Sequence, residues 1–428
     1  MPAAPAAGYP LKRMSISPCL AAACQPHTSF QMFPLRDPDV ELHRQCEDGA
    51  VTLILRHRKN RSYHEVSPAV AAIWSLCDGT HSSAHITRTI AARGAPDEPN
   101  ITEAVIAGLT KKGLLRQTGE AGQQRARAQG HGLAERMRAI LTWTAEFKRP
   151  DSAVASVYAA IGGQVFSRCF LLAATAIAII GGFLFCIQIG QAAHVDALML
   201  IGLGLPLGVI IVVLHEGAHA LTVKHYGRTV LGIGIGWFWF GPIAFVNTSD
   251  MWLAGRSQRI AVSLAGPASD MTIAGLLACA ALFLEPPWAG VAIKLAGLVY
   301  LACFANLCPC LEFDGYYALS DALGRRHLRR DAVRWLERTI RGSASLRNSV
   351  RGHTTEFIYS SLSLVYFIAM LWIAAHVTFW LLTALSKPIL PDQVAEGISV
   401  AFSAGLIAAM IAGLWADMRS LATRDSDN

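Results

Sequence analysis

The chain has 428 residues, of which 53% are hydrophobic and 16% charged, with a formal net charge of +7. That balance is too apolar for an ordinary soluble two-domain protein and points to a multi-pass membrane protein. The Lys and Arg surplus is explained by membrane topology, with some attraction to anionic lipid, and calls for no nucleic-acid partner.

Residues 1–35 are rich in Ala and Pro, and their short apolar run around Cys19 to Cys24 is too weak for a signal peptide, so a disordered tail is expected. From residue 36 the pattern changes. VELHRQ and VTLILRH are β-branched and apolar, and RSYHEV follows a polar RKN turn, so two or three short strands are predicted. Ser67 before Pro68 is an N-cap followed by proline at the first helical position. The helix it opens runs to Leu76 and ends in CDGT, where Gly79 can take the left-handed cap. Helices are predicted from Ser83 to Arg93 and from Thr102 to Lys112, with LLR after Gly113 as a closing strand. The order describes a small α+β, winged-helix-like domain over 36–117.

YHEVSPAVAAIWSLCDGTHSSAHIT and the later TKKGLL resemble the PqqD-like fold, the element that recognises leader peptides of ribosomally made, modified peptides. The resemblance implies a groove between the third helix and the edge strand, in which a peptide adds as an extra strand. The competing reading is DNA binding, for which SAHITRTIAAR offers only Arg88 and Arg93 to phosphate. A purely structural or regulatory module is the third.

Residues 118–167 have weak periodicity and read as a linker and juxtamembrane segment with room for a helix at the membrane surface. Beyond it lie six spans of bilayer-crossing length: Phe170 to Gln188, Leu198 to Leu214, Ile260 to Leu284, Ala289 to Leu307, Ile358 to Leu382 and Val394 to Leu414. Arginines crowd the segment before the first span and the 322–357 loop after the fourth, whereas the loops after the first and third carry no Lys or Arg. Positive residues stay inside, so both termini of this integral membrane protein are expected in the cytoplasm. The cysteines in or beside spans and on the cytoplasmic side are then reduced thiols.

The chemistry concentrates in VVLHEGAHALTVKHYG, Val212 to Gly227. His215 and His219 stand one helical turn apart, so both imidazoles leave one face and can grip one cation. Glu216 can reach the open position of that cation as a general base. Histidine nitrogens favour zinc. A satisfied interfacial histidine pair is the bland alternative, but a polar triad at membrane depth is costly, and function is the usual reason for one.

A third ligand is needed. His225 has metzincin spacing but Thr222 stands where that pattern has its turning glycine. A thermolysin-like glutamate is excluded, because none occurs between Glu216 and Glu285. NLCPCLEFDGYYALSD, Asn306 to Asp321, offers Asp314 at the same membrane depth, since spans two and four both descend to that side. The pairing of HEGAH with Asn306, Pro309, Asp314 and Gly315 resembles the site-2 protease class of intramembrane metalloproteases. SDMW, RIAVSLAGP and DGYYALSD are similar to its bacterial peptide zinc metalloprotease branch.

The resemblance covers 168–321 and implies His215, His219 and Asp314 as zinc ligands and Glu216 as the base. Asn306 would orient the substrate, and Pro309 would break the helix so that Asp314 turns inward. Cys308 and Cys310 flank Pro309 as rival ligands or ordinary buried thiols, and no PDZ-like insertion separates the two motifs.

Four further features are read at lower stakes. LGIGIGWFWFG suits a membrane-embedded hairpin that is structural or pairs with an unwound substrate. Asp270, deep in span three, lines a water path or pairs with a buried donor. His376 reads as a satisfied bundle histidine, and Lys294, near the outer end of its span, as a lysine that snorkels. The function expected is a zinc-dependent intramembrane endopeptidase acting on a peptide or membrane-associated precursor in ribosomal peptide maturation or export. Peptide-modifying enzymes or an exporter would be its partners. The alternative is a membrane scaffold that binds or helps export a modified peptide without cutting it.

Overall fold

The computed structural model describes residues 33–47, 50–92, 99–116, 142–148, 150–191, 195, 197–238, 241–309, 311–325, 327–340 and 352–423. They form two compact units, one within 33–116 and one within 142–422.

In the first unit, β2 (Val40–Glu47), β3 (Ala50–His57) and β4 (Ser62–Val66) form an antiparallel sheet in that order. Ser67 then caps α1 (Pro68–Leu76), its Oγ accepting from the Val70 N–H at 3.3 Å. With α2 (Ser83–Ala91) and α3 (Pro99–Lys111), α1 closes one core around Leu55, Val70, Ile86 and Leu109, all fully buried. Trp74 is buried in the same core and donates its indole N–H to the Leu114 carbonyl. The closing strand, β5 (Leu115–Arg116), pairs with β1 (Leu35–Arg36) ahead of the sheet and does not extend the sheet itself.

In the second unit, six helices are long and apolar enough to cross a membrane. They are α5 (Arg168–Gln188), α6 (Ala197–His225), α7 (Arg256–Ala280), α8 (Trp288–Asn306), α11 (Thr354–Ser386) and α12 (Asp392–Thr423). The apolar windows of α7 and α8 are 39% and 44% buried within the chain, against 11% or less for the other four. These two helices are therefore the inner ones, and the rest turn most of their apolar surface outward, as lipid-facing helices do. Close approach depends on small residues: a Cβ on Gly181 of α5 would drive into the backbone of Gly275 in α7.

Two elements stand where the sequence read a linker. β6 (Thr142–Lys148) joins the hairpin of β7 (Gly232–Phe238) and β8 (Gly241–Asn247) to give the order β6-β7-β8. Next comes α4 (Asp151–Val165), whose Asp151 accepts from Lys224 Nζ at 3.0 Å and from the Val230 N–H at 2.8 Å. Those two bonds lash α4 to the end of α6 and the start of the hairpin. Between α8 and α11 lie α9 (Asp314–Ala322) and α10 (Leu328–Ile340). The tail 1–32 and Cys310 lie outside the described residues.

Candidate metal centre

The second span does not stop at Leu214. As α6 it continues to His225, so HEGAH sits in the C-terminal part of that helix, packed by α7. His215 and His219 are each 2% exposed and Asp314 is 1% exposed, although they are widely separated in sequence. Their ligand atoms lie within 4.8 Å of one another. The Asp314 Oδ2 is 3.2 Å from His215 Nε2 and 3.1 Å from His219 Nε2, and the two Nε2 atoms are 3.2 Å apart.

The outer nitrogens decide what those inner atoms are. His219 Nδ1 lies 2.7 Å from the Val262 carbonyl, which can only accept, so Nδ1 carries the proton. His215 Nδ1 lies 2.9 Å from Asp270 Oδ2 and donates in the same way. In neutral imidazoles both Nε2 atoms then present lone pairs toward the carboxylate oxygen, and neither imidazole has a proton left to place between them. Three acceptors in mutual contact repel unless a cation sits among them. Asp314 Oδ1 also lacks a hydrogen-bond partner among the described residues. The donor set, two imidazoles and one carboxylate, suits zinc and leaves a fourth position open.

Each ligand has a local cause. α8 ends at Asn306 and α9 begins at Asp314, and the turn between them contains Pro309, whose carbonyl accepts from the Tyr359 hydroxyl at 2.5 Å. That turn is tight at Gly315, where a Cβ would strike the Leu307 carbonyl. On α7, Val262, Gly266 and Asp270 recur every fourth residue and form one stripe facing the imidazoles. A Cβ on Gly266 would fall well inside 3.0 Å of both Nε2 atoms, so only glycine lets α7 pass this close.

Glu216 is 7% exposed, and the Val246 N–H of β8 donates to its carboxylate. Asn306, expected to orient a substrate, lies at the centre: its Nδ2 donates to Asp314 Oδ2 at 2.5 Å and lies 3.2 Å from His215 Nε2, while its Oδ1 has no partner among the described residues. His225 is not brought to the centre; it stacks on Phe166 at 4.1 Å and pairs with the Tyr158 hydroxyl. Cys308 is buried against Phe313, apart from the ligand group. Asp270 is the pairing reading made specific, with His215 as its donor. His376 is satisfied by the Trp372 carbonyl of its own helix, and Lys294 lies over the Trp380 ring. Sequence reasoning missed Gly266, the Val262 carbonyl and the Val246 N–H; the four-residue spacing of a glycine and an aspartate in an apolar helix was the one available signal.

The fold and the site together define a helical membrane protein with a buried His–His–Asp group of the kind that binds a metal. The chain is 33% identical over 134 residues to the "Putative zinc metalloprotease Rip2" of Mycobacterium tuberculosis strain ATCC 35801 / TMC 107 / Erdman, and equally to that of strain ATCC 25618 / H37Rv. The match takes in 28% of this chain and 48% of each relative, so the chain spans about half the length of the curated relatives it matches. The likeness supports the metalloprotease class. No family model matches the chain, and no solved structure matches it.

Proposed function

We propose that the protein is a zinc-dependent intramembrane endopeptidase, with His215, His219 and Asp314 as ligands and Glu216 as general base. The observation that carries this reading is the convergence of three lone-pair-bearing atoms, the two imidazoles each fixed by an outer hydrogen bond and the Asp314 carboxylate held by Asn306, beside the buried Glu216 carboxylate. Zinc bound there supplies Lewis acidity, polarising a scissile carbonyl and acidifying water.

The chain's own groups do the rest. Glu216 takes a proton from the attacking water and returns it to the departing amine. Asn306 holds the Asp314 carboxylate in place. A helical peptide bond is shielded by its own hydrogen bonds, so the substrate must be extended. β8 is an edge strand of the described sheet and reaches Glu216 through Val246, which supports pairing with such a strand. The first unit, with its open-edged sheet and three helices, acts in this reading as a PqqD-like domain that captures a precursor peptide in the cytoplasm. Peptide-modifying enzymes or an exporter work alongside it at a bacterial inner membrane.

The test compares wild type with Glu216→Ala in membranes carrying precursor peptides, with products identified by mass spectrometry. General acid–base catalysis is worth roughly 10²–10⁴-fold, so the variant should lose cleavage by that factor while keeping its zinc. Unchanged cleavage discards the peptidase, and zinc binding with no cleavage by either protein leaves a scaffold.

A further inference from the structure

An open cleft with a volume of about 50 Å³ lies one shell out from the metal group, lined by residues that neighbour its ligands. One wall is the first turns of α7, including Val262, whose carbonyl holds His219. The facing wall is α9, on which Tyr317 stands one turn beyond Asp314. The turn after β8 closes the third side with Thr248 and Trp252. At the far end, Arg259 and Asp321 face each other at 2.8 Å, 6% and 9% exposed, and Arg259 also donates to the Ala254 carbonyl.

Resting on the peptidase reading, we infer that this cleft receives an uncharged, apolar side chain of the substrate, one or two residues from the scissile bond, and so sets cleavage specificity. Position follows from β8. Its Val246 touches Glu216, and Thr248, two residues on, lines the cleft. Residues two apart in extended chain lie about 7 Å from each other on the same face, so a strand paired along β8 with its scissile bond at Glu216 brings a neighbouring side chain to Thr248.

Chemistry follows from the lining. Trp252, Val262 and the Tyr317 ring provide apolar walls. The one ion pair is internally neutral, so a charged side chain entering the cleft would bury an uncompensated charge. An apolar one loses only water.

The test uses the full-length protein in detergent, zinc-loaded, with random-sequence synthetic peptides as probe and mass-spectrometric mapping of the cuts. Wild type should enrich Leu, Met or Phe about tenfold over Asp and Lys at one fixed position near the cut. Ser263→Trp, which fills the cleft from α7, should lose that enrichment in favour of Gly and Ala, with zinc content unchanged. If Ser263→Trp fails to fold, Thr248→Leu reads the same shift from the opposite side. An unaltered preference in a folded variant, or a wild-type preference for charge at that position, overturns the cleft assignment while leaving the peptidase intact. Absence of any cut that Glu216→Ala abolishes overturns the peptidase and the cleft's role with it.

Discussion

The residue that most changes the picture of the site is Asp270. A carboxylate buried to 5% exposure in a membrane helix is expensive, and here its Oδ2 accepts from His215 Nδ1. That bond fixes the tautomer and the ring plane, which leaves Nε2 free for a metal. Outer partners of this kind are worth about 10–100-fold in metal affinity, so Asp270→Asn should lose zinc to a competing chelator at 10–100-fold lower chelator concentration, with thermal unfolding little changed. A purely structural aspartate would shift unfolding and leave zinc retention alone. Gly266 makes the complementary case. Gly266→Ala places a methyl against both Nε2 atoms, so the imidazoles must separate. The variant should bind less than about a tenth of wild-type zinc, a loss of at least 1.4 kcal/mol, as read by elemental analysis of the purified protein.

At the scale of elements, contrast between neighbours is the sharpest test of packing. Gly181 faces the Gly275 backbone, whereas a Cβ on Gly182 would meet nothing nearer than the Tyr300 hydroxyl at 3.6 Å. Gly181→Ala should cost about 1–3 kcal/mol through separation of α5 and α7, and Gly182→Ala should be neutral or stabilise by up to about 1 kcal/mol; thermal unfolding in detergent distinguishes them. The same contrast explains what the sequence made legible. Helix α1 has the bounds read for it, because Ser67 and Pro68 are adjacent signals. The end of the second span was misread at Leu214, because polarity was taken as the membrane boundary when α7 and α9 provide the polar side chains with partners. β6 was invisible, because its partner β7 lies far along the chain and strand pairing at that distance leaves no local trace. His215, Glu216 and His219 follow from spacing alone. Asp314 needed the shared direction of the second and fourth spans, and Asp270 needed the register of α7 against α6, which no single stretch of sequence contains.

For the molecule as a whole, the two units have separate cores, one around Leu55 and Ile86 and one around Val223 and Val246. No residue of the metal group comes from the first unit. If that unit captures a precursor by its leader, its contribution is effective concentration: the second encounter, at the metal centre, becomes intramolecular. Such linkage can raise avidity by 10²–10⁴ without any new contact at the reacting bond. A variant lacking residues 1–140 keeps β6 and with it the sheet beside Glu216, so it should retain wild-type zinc content. It should cleave a leaderless peptide within about twofold of wild type, but lose about 100-fold in kcat/KM toward the precursor with its leader, mostly through KM. Equal losses on both peptides would mean that the first unit supports the fold of the second, and no loss on either would mean that it does not select the substrate.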